Sequence, residues 1–307
     1  MASDNIVRTF ADSSRKESVL PLVEILTAEE TWFLNNLGKT RATDTIHSTL
    51  TDTLRDVATA AVSEGADYSA GERTTPSKVQ NIVEKIAIPF KVTETEQAVE
   101  RYVKENEMER QTMKAIKDWA NAAEFDLVRS TLTSGASGTT PKLSGIIEAI
   151  STSDNVTSHT SSTTFSASII RGLMKDNWDN SNGDVVSDIF MGSYLSNQMD
   201  SFTNKSYTVV NGANETSIVH SVDLYETGLG KVRKHTHRYV YQSGDGTGRV
   251  LGVRPEKLKI AYLIQPYVDR DLARSGPYDF YAVTGDLTLE VRNKKSNFFA
   301  DGFDITS

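Results

Sequence analysis

The stretch from Thr93 to Leu132, TETEQAVERYVKENEMERQTMKAIKDWANAAEFDLVRSTL, decides how this chain is read. It contains neither Pro nor Gly and is made largely of good helix formers. Val99, Val103, Met113, Ile116, Ala120, Ala123 and Leu127 recur at helical spacing, as one apolar stripe would. Asn106 and Arg110 interrupt that stripe, so its first half is expected to be the more exposed. Glu94, Glu96, Glu100, Glu105, Glu107 and Glu109 lie early, and Lys114, Lys117 and Arg129 lie late, an order that complements the helix macrodipole. The pattern predicts one helix on the order of 55–60 Å long, with a break near Asn121 left open. In a chain of 307 residues so long a helix is a spine rather than a bundle member.

Upstream of the spine, residues 1–20 are polar and read as an arm without a core of its own. Pro21 to Leu37 follows as one or two short helical segments, with Thr27-Ala-Glu-Glu30 as a capping box and Trp32, Phe33 and Leu37 as a small apolar patch. Ile46, Leu50 and Leu54 suit either period, but the threonines at 45, 49, 51 and 53 favour a strand over Asp44 to Leu54. Glu64 to Pro76 is rich in turn formers and charge, a solvated tip. Lys78 to Phe90 is expected as a second strand, with Ile82, Ile86, Ile88 and Phe90 on one face. Two strands with a long polar tip make a hairpin without an obvious core beneath it. Such a hairpin is marginal alone and should be held by something outside it, such as another subunit.

Downstream, Thr133 to Thr140 and Ser151 to Thr164 are dominated by Ser and Thr and read as surface loops around a short helix, Leu143 to Ile150. Helices are expected at Phe165 to Trp178 and Ser193 to Phe202, with a short buried strand at Asp188 to Met191 between them. That alternation suggests a compact α/β lobe. The last third reads as strands at Ser217 to Tyr225, Lys231 to Gln242, Leu258 to Pro266 and Tyr281 to Arg292, with Gly228 and Gly230 turning between the first two.

Composition excludes several function classes. The net charge of −8 argues against tight, non-specific nucleic-acid binding. There is no cysteine, hence no disulfide, thiolate metal site or Cys nucleophile. No apolar run approaches a membrane span and the N-terminus lacks a signal-peptide core, so a soluble, non-secreted protein is expected.

No motif assembles into a catalytic, cofactor or metal site. His235-Thr-His237 could offer two ligands from one strand face, but Lys231, Arg233, Lys234 and Arg238 surround it and a solvated strand is the reading. Gly244-Asp-Gly-Thr-Gly248 lacks the Lys and following helix of a phosphate loop and reads as a hairpin tip. Gly135-Ala-Ser-Gly138 is not a nucleophile elbow. Asp269 and Asp271, with Arg270 between and Arg274 nearby, read as surface salt bridges. The acidic run of the early spine suits a partner's basic residues.

Polar arm, long two-stranded loop, single spine helix, α/β lobe and return strands follow one another in an order that resembles the Hong Kong 97 (HK-97) type fold of tailed-bacteriophage major capsid proteins. The resemblance extends to text: Thr27 to Gly38 (TAEETWFLNNLG), Ser63 to Asp67, the Gln80 to Gln97 passage, Lys114-Ala-Ile-Lys117 with Glu124-Phe-Asp126, Leu258 to Leu263 (LKIAYL) and Leu287 to Arg292 (LTLEVR). It implies an α+β fold with an N-terminal arm at 1–38, an extended loop at 39–90, a peripheral-domain spine at 91–134, an axial domain at 135–265 and return strands at 266–307. It implies a non-enzymatic shell subunit, made into pentamers and hexamers in a host cytoplasm, enclosing double-stranded DNA and meeting a portal and scaffolding or decoration proteins. Without a long N-terminal helical extension, a separate scaffold or none is implied. Some members crosslink an extended-loop Lys to a peripheral-domain Asn; Lys78 or Lys85 with Asn293 or Asn297 would be the counterparts here, but nothing matches that pattern specifically. The rival readings are a cellular nanocompartment shell of the same fold and a hydrolase with an unrecognised site.

Overall fold

The structure, a computed structural model, describes residues 30–54, 61–67, 73–99, 107–136, 138–151, 155–181, 184–202, 207–211, 215–219, 224–241 and 245–305. It contains two sheets joined across one central helix, with a two-stranded ribbon projecting from the first sheet.

The helix predicted from Thr93 to Leu132 is interrupted at Val99. A five-residue helix, α2 (Glu94–Ala98), is capped by Thr93, whose hydroxyl accepts from Glu96 N, and at Val99 the chain has already turned extended (φ −77°, ψ 127°). The spine proper, α3, runs Glu107–Arg129 over 23 residues, about 34 Å. Glu96 and Glu100 sit four apart, a like-charge spacing that disfavours continuing the helix, and Val99 has no packing to offset it. The predicted stripe is also rotated. Ala115, Trp119, Ala123 and Leu127 are buried together with Glu124 and Val128, whereas Met113 and Ile116 face outward.

The first sheet has the order β1 (Gly38–Arg41), β12 (Leu258–Asp269), β13 (Tyr278–Val291) and β4 (Glu84–Thr93). On β4, Ile86, Ile88 and Phe90 alternate with exposed Lys85, Ala87 and Pro89, as expected, and that apolar face receives α3. Trp119 is the keystone. Its Nε1 donates to Ile86 O at 3.1 Å, and its ring lies over Gly285, where an added Cβ would come within 2.8 Å of it.

The strand predicted over 78–90 is two strands. It breaks at Val83: β3 (Ser77–Ile82) pairs with β2 (Ile46–Thr51) in the ribbon, while β4 enters the first sheet. The ribbon is not without support either. Its root rests on β13, where His47 Nε2 donates to Glu290 Oε2 at 3.0 Å and the Asn81 amide donates to Leu289 O at 2.8 Å.

The second sheet has the order β5 (Val156–Thr163), β14 (Phe298–Phe303), β11 (Gly248–Val253), β6 (Asp188–Met191), β10 (Gly230–Thr236) and β9 (Leu224–Thr227). Helices α5 (Ala167–Asn180) and α6 (Ser193–Asp200) cover it, burying Leu173, Met174, Leu195 and Met199 against Val250 and Phe303. β6 and both helices lie where the sequence puts them. The Ser/Thr-rich segment expected as loop is instead edge strand β5, parallel to β14. Gly302, at φ +87°, lets the two strands approach, since a Cβ there would collide with the His159 carbonyl. Residues 266–307 therefore divide, β13 going to the first sheet and β14 to the second. The strand expected at 217–225 falls across β8 (Glu215–Val219) and β9, and β8 pairs with β7 (Tyr207–Asn211). The short helix α4 (Ile146–Ser151) packs under α3, and α1 (Trp32–Asn36) caps the junction of both bodies. Of the capping box proposed over 27–30, only Glu30 is described.

Candidate assembly surfaces

The groups singled out in the sequence as candidate sites prove to be fold-holding. His235 and His237 do share a strand face, but that face is turned into the protein rather than solvated. His237 and Glu124 are both buried; Tyr239 N donates to His237 Nδ1 at 3.3 Å, which leaves Nε2 as the protonated nitrogen donating to Glu124 Oε1 at 3.0 Å. Glu124 also accepts from Phe33 N at 2.7 Å and Leu34 N at 2.8 Å, so one carboxylate joins α1, α3 and the residue following β10. His235 stacks on Phe190 at 5.0 Å between ring centroids and donates to Asp188 Oδ1 at 2.8 Å. Burial alone would raise the Asp188 carboxyl; the bonds from His235 and Ser187 outweigh it and hold the group below the ordinary range. Lys234 is buried against Asp200.

The chain before β11 does not turn a β10–β11 hairpin. β11 lies on the far side of β6 from β10, so the chain crosses over there. Asp245 takes a fork of bonds from Arg129, at 2.7 and 2.8 Å, and pairs with Arg249 at 3.0 Å. That tie closes the C-terminal end of α3 onto the second sheet. Asp269 and Asp271 are at the surface as expected, Asp269 accepting from Asp271 N, while Arg274 pairs with Asp279. The Gly135–Gly138 loop lies within a Thr133–Lys142 bridge. Of the acidic run, Glu94, Glu96 and Glu109 are exposed, but Glu107 is turned inward and held by Arg110. Asn297 is buried, accepting from Arg254 N, and the Asn293 side chain accepts from Lys295 N. Among the described residues no group of three or more His, Asp or Glu could hold a metal ion, and no helix is long and apolar enough to cross a membrane.

What stays unsatisfied is apolar surface. On β2, inward His47, Thr49 and Thr51 alternate with outward residues, and Ile46, Leu50 and, just beyond, Leu54 are 50, 72 and 96% exposed. On α3, Met113 and Ile116 are 63 and 46% exposed, four and seven residues after Glu109. Ile264 and Tyr267 on β12 add a third exposed group. A helix with one apolar stripe buried and a second left bare is built to be packed on both sides.

This architecture is that of a protein shell subunit, and comparisons with known proteins agree. The family model for the SU10 major capsid protein matches residues 5–303, nearly the whole chain. The chain belongs to that family of phage major capsid proteins, which are structural components of the virion capsid. Its fold is of the HK97 type, mixed α and β. The capsid of a native GTA particle matches with a TM-score of 0.66 at 8% identity, over 94% of this chain and 95% of that one. The capsid of Myoviridae phage XM1 matches at 0.62 and 12% identity, over 98% and 100%. The SrpI encapsulin complex from Synechococcus elongatus PCC 7942 matches at 0.61 and 11% identity, over 98% of each chain. No curated protein sequence matches the chain.

The spine, the ribbon and the short buried strand β6 were legible in the sequence. The Glu124–His237 junction was not, because its partners lie 113 residues apart and no local pattern marks them.

Proposed function

We propose that the chain assembles into pentamers and hexamers that close an icosahedral shell around double-stranded DNA. The observation that carries this reading is the bare apolar row of Ile46 and Leu50 on a ribbon of a subunit whose α3 offers a bare Met113–Ile116 stripe. Lys78, the cross-strand partner of Leu50, and Glu109, one turn before Met113, give the two patches opposite charge at their margins. A neighbour's ribbon laid over this stripe would cover both. Burying such side chains contributes roughly 25 cal/mol per Å2, which offsets the cost of ordering a ribbon that is marginal alone. In this reading 1–38 is the arm, the ribbon within 39–90 the extended loop, α3 and the first sheet the peripheral domain, and the part of 135–265 before β12 the body of the axial domain at capsomer centres.

The partners follow from the reading: copies of the chain, a portal, and scaffolding or decoration proteins, with assembly in a host cytoplasm. A subunit with a net charge of −8 would hold packaged DNA weakly and without sequence preference. The likeness to an encapsulin favours one second reading, a nanocompartment shell. Electron microscopy of the concentrated, purified chain is the test, with closed shells bearing fivefold and sixfold capsomers as the expected image. Only small oligomers under all conditions would sink the shell. Particles from the producing cells that carry a protein cargo and no genome would select the nanocompartment.

A further inference from the structure

Among the described residues, the strands of the ribbon are hydrogen-bonded to the rest of the subunit through one rung. His47 of β2 and Asn81 of β3 are cross-strand partners, and both reach β13. Toward the tip the next inward pair, Thr49 and Val79, borders a cavity of about 30 Å3 shared with Ser144 and Ala149, large enough for water. The two ends of the rung are held by different chemistry. Asn81, 8% exposed, donates to Ser144 O at 3.0 Å and to Leu289 O at 2.8 Å, and its Oδ1 accepts from Ser144 N at 2.8 Å. Each of those partners is a neutral backbone group. His47 is held by a charge instead: Glu290 Oε2 accepts from its Nε2 at 3.0 Å, while Oε1 accepts from Arg292 Nε at 2.8 Å. The charged groups around Glu290 come from each neighbouring element. His47 faces it from β2, Arg292 from its own strand, Lys259 as its cross-strand partner on β12, and Lys294 across the cavity from the turn after β13.

We infer that this rung is a two-sided hinge: Asn81 is the fixed pivot of the ribbon, and the His47–Glu290 bond is a releasable strut that sets the ribbon's tilt over the cavity. The amide bonds of Asn81 involve no titrating group, so proton binding leaves them in place. The strut depends on the Glu290 charge, which strengthens the bonds it accepts. Burial pushes the Glu290 carboxyl up, but the Arg292 and His47 bonds outweigh it and hold the group below the ordinary carboxylate range. A carboxyl depressed in the closed form adds stability above its ordinary range and loses it as pH falls through the depressed value. Acid therefore opens the strut and leaves the pivot. With the strut open, β2 lifts from the cavity while β3 stays tied at Asn81, which changes the tilt without unpairing the strands. The hinge is intramolecular and stands whether or not the ribbon meets a neighbouring copy.

The chain contains no cysteine, so an introduced pair is the sole attachment point for spin labels. Ser48→Cys on the outward face of β2 and Asp118→Cys at an exposed position of α3 report the tilt, read as a double electron–electron resonance distance on the unassembled full chain at neutral pH. Glu290→Gln keeps the shape of the side chain and removes its charge. In that background the distance distribution should broaden, while the Ser144 amide, bonded to Asn81, keeps its protection from hydrogen exchange. His47→Ala removes the strut from the ribbon side and should broaden the distribution in the same way; it decides the matter if Glu290→Gln does not fold. An unchanged distribution in a folded strut variant, or loss of Ser144 protection along with the strut, would overturn the hinge.

Discussion

The junction around Glu124 and the β2–β3 ribbon are both assembled from residues far apart in sequence, but they treat their chemistry in opposite ways. At the junction every polar group on the carboxylate has a partner, and the rings of Phe33, Phe190 and His237 enclose it. On the ribbon the backbone pairs internally while Ile46 and Leu50 are left in water. The first region is finished within one chain and serves folding. The second is left open within the chain, and under the proposed function a copy of the chain would cover it. Helix α3 repeats the contrast on one element: Trp119 is closed in, and Met113 and Ile116 are open.

If the contrast holds, substitutions should separate into those that unfold the subunit and those that leave it folded but unable to assemble. Glu124→Ala should have the largest effect on stability. It orphans two buried backbone N–H groups and the His237 Nε2–H, for a loss of about 3–5 kcal/mol seen as a large fall in melting temperature. Ile116→Pro should cost about 3 kcal/mol or more and remove soluble folded protein, because Pro takes a hydrogen bond from the middle of α3. A soluble, fully helical Ile116→Pro chain would remove the spine from this account.

Gly285→Ala should cost about 1–3 kcal/mol by pressing a methyl onto the Trp119 ring and Pro266, measured by denaturant unfolding. Smallest on stability, Ile46→Ser with Leu50→Ser should change unfolding by no more than about 0.5 kcal/mol per site. That pair should nevertheless assemble poorly by light scattering and microscopy, and shells at normal yield would erase the distinction between the regions. Deleting residues 64–76 sharpens the point further, since a folded subunit that fails to form shells is the expected product.

Much of the architecture could be read before any coordinates. Alternation on Ile86, Ile88 and Phe90 marked β4 correctly, and the apolar run Asp188 to Met191 marked a buried strand. The errors share a cause. The stripe through Met113, Ile116, Ala123 and Leu127 was a true amphipathic pattern, but only its later part is buried in the chain while Met113 and Ile116 stay exposed, and apolar periodicity cannot say how much of a stripe a chain buries itself. β5 was missed because Ser and Thr carry no apolar signal, and its order comes from pairing with Phe298–Phe303 some 140 residues on. The break at Val83 was hidden because one alternating run served two sheets in succession.

By itself the sequence determined that this is an α+β chain with a central helix and a projecting two-stranded loop, because composition, periodicity and turn chemistry act over a few residues. It also carried the resemblance to a capsid fold. Only the tertiary structure decided that the helix breaks at Val99 and that His237 is locked to Glu124. Those are consequences of burial and of electrostatic proximity between distant segments, and no local pattern encodes either.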